Sequence, residues 1–154
     1  MENEISITFT PAHSEDISLL LELMREFYFI EHLEFDGPAM RNALTQLLGS
    51  DIYGSVYIIR EGGVPAGYFV ITNGYSLEFH GRFILVDELY LRESYRGKGI
   101  GKLCLRFIED LCRERGIGAV RLEVARVNIP ARELYRRTGY IDQDRDFLTK
   151  WLKQ

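Results

Sequence analysis

From Ile5 to Phe9 apolar and polar residues alternate, the period of a half-buried strand. Thr10-Pro11-Ala12-His13 breaks that pattern, and Ser14 follows as an N-cap with Glu15 and Asp16 in the first helical turn. Ile17, Leu20, Leu21, Met24, Phe27 and Tyr28 then recur at helical spacing, which predicts a helix to about Glu31. A turn at Asp36-Gly37-Pro38 leads into a shorter helix carrying Met40, Ala43, Leu44, Leu47 and Leu48, stopped by Gly49. Tyr53 to Arg60 reads as a strand, Glu61-Gly62-Gly63 as a tight hairpin turn, and Pro65 to Thr72 as the returning strand. After a looser link from Tyr75 to Gly81 comes the most apolar run, Phe83 to Leu91, interrupted by Asp87 and Glu88.

A basic, glycine-rich turn, Arg96 to Gly101, follows that strand. It leads directly into a helical pattern with Ile100, Leu103, Phe107 and Leu111 on one stripe. Arg115-Gly116-Ile117-Gly118 stops this helix, and Ala119 to Val127 predicts another strand. Asn128-Ile129-Pro130 opens a last helix through Arg137, with proline well placed in the first turn, and Gly139-Tyr140 ends it. Asp142 to Asp146 is a polar turn, and Phe147 to Leu152 predicts a closing strand that holds the only Trp. The order predicts one α/β domain over residues 1–154 with a mixed sheet, its first hairpins antiparallel. The helix after the glycine turn would make a right-handed crossover between parallel strands.

Composition narrows this picture only slightly. With 154 residues, 46% hydrophobic and 27% charged, the chain suits a single globular core that buries about 68–70% of the unfolded surface. Nineteen basic against 23 acidic residues give a net charge of −4, which argues against nucleic acid as partner and permits cationic substrates. No apolar run reaches the length of a membrane span, and the N-terminus is acidic where a signal peptide is basic, so no membrane association and a cytoplasmic location are expected. Cys104 and Cys112 fall on one helix about 12 Å apart, too far for a disulfide, and read as packing residues. The three histidines are scattered and form no ligand pair with either cysteine, so no metal is expected.

The chemistry concentrates between Phe83 and Lys102. A strand, a glycine turn and a helix in succession present backbone N–H groups at a helix N-terminus, where the dipole favours anions. Arg96 and Lys98 add positive charge, so a phosphate or pyrophosphate is the natural guest. Two familiar phosphate loops fail the spacing. A triphosphate loop ending at Gly101-Lys102 would need glycine at Arg96 and Ser or Thr at Leu103. A dinucleotide fingerprint begun at Gly97 would need glycine at Lys102.

The residues spell R-x-x-G-x-G from Arg96 to Gly101, which resembles the acetyl-coenzyme A signature of the GNAT superfamily of N-acetyltransferases. Asn128-Ile129-Pro130-Ala131-Arg132-Glu133-Leu134-Tyr135, followed by Gly139-Tyr140, resembles the second motif of that family, N-x-x-A-x-x-L-Y with a later G-[FY]. The two motifs stand in family order, one helix and one strand apart, and the upstream layout matches as well.

The resemblance implies a GNAT fold: a mixed, mostly antiparallel sheet, helices on both faces, and a splayed parallel strand pair. It also implies acetyl transfer from acetyl-coenzyme A to an amine in a ternary complex, with no metal. Backbone groups at Leu89, Tyr90 and Leu91 would then pair with the pantetheine arm, and one N–H there would hold the thioester oxygen. Arg96, Gly97, Lys98, Gly99, Ile100, Gly101 and Lys102 would take the pyrophosphate. Asn128 would contact the pantetheine arm or cap its own helix. Tyr135 would protonate the leaving thiolate, unless it is a core residue.

The acceptor ammonium must lose a proton, and Glu88 is the preferred base because family members carry Glu there. Asp87, expected on the opposite face of the sheet, is the alternative, and a third reading makes both carboxylates structural. Glu26, Glu31, Glu34, Asp36, Asp142, Asp144 and Asp146 fall in segments that wall the acceptor site in the family. Such acids suit a cationic amine of a small molecule or peptide, and equally an ordinary solvated face. Tyr28, Phe29, Phe35 and Tyr75 are candidate aromatic walls. Homodimers are common in the family. Competing readings are a module that binds acetyl-coenzyme A without turnover, and an interaction domain that uses the basic turn.

Overall fold

The structure is a computed structural model that describes residues 6–153, so Ile5, the expected start of the first strand, lies outside the described residues. These residues form two compact units, one ending at Glu123 and the other beginning at Val124.

The first unit is built on five strands: β1 (Ile7–Pro11), β2 (Gly54–Glu61), β3 (Val64–Ser76), β4 (Gly81–Leu91) and β5 (Ala119–Leu122). They lie side by side in sequence order. β1 to β4 pair antiparallel, and β5 joins β4 in parallel. Three helices cover this sheet: α1 (Ile17–Ile30), α2 (Gly37–Leu48) and α3 (Ile100–Glu114).

Strand alternation separates two cores. Val56, Ile58, Tyr68, Val70 and Tyr90 face α1 and α2, where Leu20, Leu23, Met24 and Leu44 meet them. Tyr57, Ile59, Phe69, Ile71, Ile84 and Val86 face the other way, onto Ile100, Cys104, Ile108 and Cys112 of α3. The sheet is thus mixed and mostly antiparallel with helices on both faces, as the family resemblance implied.

Several details differ from the sequence reading. The buried stripe of α3 runs through Ile100, Cys104, Ile108 and Cys112, with Phe107 and Leu111 at its flank, while Leu103 is 41% exposed. Both cysteines lie in this buried stripe, and both are free. Burial pushes the Cys104 thiol up to about 12, which suits an inert packing residue. Ser14 does not cap α1. It begins a short 3₁₀ turn in which the Asp16 carboxylate accepts the His13 backbone N–H at 2.8 Å. β3 runs on to Ser76, paired with Gly81, so the expected loose link shrinks to one 3₁₀ turn, Leu77–Phe79, and His80.

β5 is shorter than expected because its parallel pairing with β4 stops at Val86–Leu122. At that point β4 carries a bulge: Val70 pairs with Glu88 and Ile71 with Val86, leaving Asp87 as the extra residue. One extra residue reverses the side-chain parity beyond it. Ile84 and Val86 face α3, whereas Tyr90 faces α1 and α2.

Gly67 shows how tightly the two central strands are drawn together at the end of β4. A Cβ placed on it would lie 2.0 Å from the Tyr90 carbonyl oxygen, a backbone atom that cannot swing aside. Gly67→Ala should cost about 3 kcal/mol, the upper end of the overpacking range. For a chain of this size that lowers Tm by roughly 6–12 °C, readable in a thermal melt; an unchanged Tm would mean that the strands can separate there without cost.

The second unit contains α4 (Ile129–Arg137), followed by residues without regular structure. The closing strand expected over Phe147–Leu152 does not form. Phe147–Leu152 carries no regular structure, and Phe147, Leu148, Trp151 and Leu152 are exposed.

Candidate active site

β4 continues five residues beyond its last parallel pair, from Asp87 to Leu91, and among the described residues no strand joins that stretch on the β5 side. Leu89, Tyr90 and Leu91, the residues expected to pair with the pantetheine arm, lie on this stretch. The parallel pair therefore opens where the resemblance placed a splay.

β4 leads through a single turn of 3₁₀ helix, Glu93–Tyr95, into the glycine-rich segment. Gly97 and Gly99 have φ of +74° and +79°, in the left-handed region that glycine enters without strain. A Cβ at either would meet nothing within 4 Å, so the turn is open to an approaching group. Gly99 is the N-cap of α3, and no side chain caps this 15-residue helix. Its first-turn N–H groups and the positive end of its dipole are left for an anion. Ile100, Gly101 and Lys102 form that first turn. Arg96 donates from Nε to the Leu91 carbonyl at 2.8 Å and lies over the Tyr90 ring, while the Lys98 ammonium lies over Tyr95. The chemistry of this donor set fits a pyrophosphate.

On the α1 and α2 side, the bulge delivers Glu88 to two tyrosines. Tyr28 of α1 donates its hydroxyl to Glu88 Oε2 at 2.5 Å, and Tyr68 of β3 donates to Oε1 at 2.8 Å. Burial pushes the Glu88 carboxyl above its ordinary value; the two hydroxyls oppose that and the Asp87 charge adds to it. Burial and the Glu88 charge raise both tyrosines, which keeps them protonated as donors. Asp87 itself is exposed. The expectation that Asp87 and Glu88 point to opposite faces rested on strict alternation, which the bulge breaks.

A second network ties the end of β4 to α1. Arg92 forks onto both oxygens of Glu26, at 3.1 and 3.0 Å, and also reaches Glu22 and the Pro65 carbonyl. Tyr90 donates to Glu26 at 3.0 Å. Burial pushes Glu26 up, but the Arg92 and Tyr90 bonds outweigh it and hold the carboxyl below its ordinary value. A cleft of about 400 Å³ opens here between Glu26, Phe29 and Ile30 of α1, Tyr90 of β4, and Glu93 and Arg96 of the turn.

Of the candidate aromatic walls, Tyr28 and Phe35 meet edge to face beside Glu88, and Phe29 lines the cleft. Tyr75 does not belong with them. It pairs with Arg82, five residues along β3 from the Glu88 partner Val70, or about 17 Å.

In the second unit, Asn128 caps α4 by accepting the Ala131 N–H at 3.3 Å, and the Tyr135 ring meets Tyr140 edge to face. Two of the acids placed near the acceptor are locally paired: Asp142 with Arg132 at 3.2 Å, and Asp146 with Arg126.

The sequence reading missed Tyr68 and Arg92 altogether. A tyrosine inside the buried run Gly67–Ile71 carries one signal, since a buried hydroxyl needs a partner, but which partner depends on strand register.

The model of the acetyltransferase (GNAT) family matches residues 17–140. The chain belongs to that family. It is 26% identical to a putative ribosomal protein bS18-alanine N-acetyltransferase of Bacillus subtilis over 150 residues, covering 88% of this chain and 92% of that one. Over 57 residues it is 42% identical to a streptothricin acetyltransferase of Streptomyces lavendulae, a match covering 37% of this chain and only 30% of that protein. An integron cassette protein from the mobile metagenome of Cole Harbour Salt Marsh has the same fold, with a TM-score of 0.83 and 31% identity. That likeness covers 95% of this chain and 91% of the other.

Proposed function

We propose that residues 1–154 act as one N-acetyltransferase domain that transfers the acetyl group of acetyl-coenzyme A to a primary amine of a small molecule or peptide. The observation that carries this reading is the run of β4 past its last parallel partner into an uncapped helix N-terminus. It supplies an extended edge for an amide-bearing arm and an anion site at the end of that edge, on one continuous segment. Arg96 to Lys102 hold the pyrophosphate, and Leu89 to Leu91 pair with the arm.

When bound, acetyl-coenzyme A supplies a thioester whose C–S bond breaks as the amine nitrogen forms a C–N bond to its carbonyl carbon. A backbone N–H of the Leu89–Leu91 stretch donates to the thioester oxygen as negative charge develops there. Glu88 accepts one proton from the ammonium and passes it to solvent. Tyr135, a role carried over from the motif resemblance, gives its proton to the departing sulfur and regains one from the acylated nitrogen. The net products are an amide, a free thiol and one proton.

A cationic acceptor is supported by Glu88 and Asp87 at the bulge and by the Tyr28–Phe35 pair beside them. The relatives are named for very different acceptors, streptothricin and a ribosomal-protein alanine, so both small molecules and peptides belong in the test. Cytoplasmic residence and a homodimer complete the proposal; no helix among the described residues is long and apolar enough to cross a membrane.

Thiol release from acetyl-coenzyme A across polyamines, aminoglycosides, amino acids and lysine peptides tests the reading. Amine-dependent release with one class is the expected result and names the acceptor. Tight cofactor binding with no release from any amine would favour a sensor without turnover. Failure to bind the cofactor would remove the role assigned to the Arg96–Lys102 turn.

A further inference from the structure

The Glu88 carboxylate is gripped by donors from two elements that are distant in sequence. Tyr28 reaches one oxygen from α1, and Tyr68 reaches the other from β3. A carboxylate offers about four lone-pair positions. One hydroxyl on each oxygen leaves one position on each.

Neither donor has freedom to follow a moving carboxylate. Tyr68 is 0% exposed, with Phe27 edge-on at 6.3 Å and Tyr90 at 6.1 Å. Tyr28 is half-buried between Phe27 at 5.8 Å and Phe35 at 5.7 Å. A glutamate has three side-chain torsions, and two fixed donors on opposite oxygens reduce its orientations to one. The closed side is that of Tyr68, so an acceptor must come in from the side of Tyr28 and the exposed Asp87.

We infer that Tyr28 and Tyr68 are positioning residues, which hold the Glu88 carboxylate in a single orientation with one lone pair per oxygen turned to the acceptor ammonium. This rests on the proposed role of Glu88 as base. The alternative is that the two hydroxyls only solvate a buried acid.

Both readings move the acidic limb of the pH profile; they differ on the plateau, where only positioning lowers kcat. The groups that act on Glu88 are Tyr28 from α1, Tyr68 from β3 and Asp87 on its own strand. The hydroxyls favour the charged carboxylate, whereas burial and Asp87 favour the neutral one. Removing either hydroxyl leaves burial and Asp87 less opposed, so the carboxyl must protonate at higher pH.

Tyr28→Phe and Tyr68→Phe should each move the acidic limb of the kcat/KM profile upward by about one pH unit. Acetyl-coenzyme A affinity should stay unchanged, and kcat on the plateau should fall as the base loses its fixed orientation. Glu88→Gln serves as the reference, because it should abolish the limb. If it does so while both tyrosine variants keep the parent's kcat on the plateau, the positioning role is wrong and the base survives. If Glu88→Gln keeps the limb, the base reading itself has failed. Tyr28 is half-buried and tolerates the change, so it carries the test alone should Tyr68→Phe not fold.

Discussion

Replacing Glu88 by Gln should lower kcat/KM by about 10³-fold near pH 7.4. An alkylammonium has a pKa of about 10.4, so at that pH only about one acceptor in 10³ is already neutral. A base that takes the proton from the bound ammonium before the nitrogen attacks recovers that factor, within the 10²–10⁴ range typical of general base catalysis. The deficit should therefore shrink tenfold per pH unit as the pH approaches the acceptor's own value. A deficit that is flat with pH would rule out proton removal as the function of Glu88.

The same substitution tests a cost to the fold. Burial holds Glu88 above its ordinary value, so the folded protein binds that proton more tightly than the unfolded chain does. The stability this contributes is complete below the unfolded value and is lost as the pH rises through the folded one. At neutral pH the charged Glu88 is a burden, and the Gln variant should melt no lower than the parent, as expected where a site trades stability for activity. A clear drop in Tm would instead mark Glu88 as a structural partner of Tyr28 and Tyr68.

Tyr135→Phe should reduce kcat by about 10²-fold with acetyl-coenzyme A affinity nearly kept. The loss is smaller than for Glu88 because a thiol ionises near 8.5, so a thiolate departs far more readily than an ammonium surrenders its proton. Thiol release under saturating cofactor, with binding followed by a separate titration, separates the two effects. Unchanged turnover would remove Tyr135 from the mechanism, and lost binding would make it part of the cofactor site.

Much of this was legible in the residues. Helices α1, α2 and α4 and the β2–β3 hairpin follow from local period and turn chemistry, which act within a few residues. The anion turn was legible for the same reason, since R-x-x-G-x-G states its own backbone requirements, and Gly97 and Gly99 adopt the left-handed conformation that only glycine enters freely. Two motifs in order sufficed for the family.

What the sequence could not decide was every feature that depends on a neighbour. The stripe of α3 was misplaced by one position because Cys104 and Cys112 look less apolar than Leu103, yet both lie in the buried core with the sheet residues. The strand expected over Phe147–Leu152 has the right residues and no regular structure. β5 stops level with the bulge at Asp87, which is a property of the β3–β4 register and not of either strand alone.

The sequence by itself thus determined the family, the order of elements and the glycine turn proposed to hold an anion, because each is written in short-range pattern. Tertiary structure alone decided what surrounds the carboxylates. One unpaired residue in β4 turns Glu88 toward α1 and between Tyr28 and Tyr68, residues 60 and 20 positions away in the chain. Only strand register and helix packing can bring such residues together, and no local period encodes either.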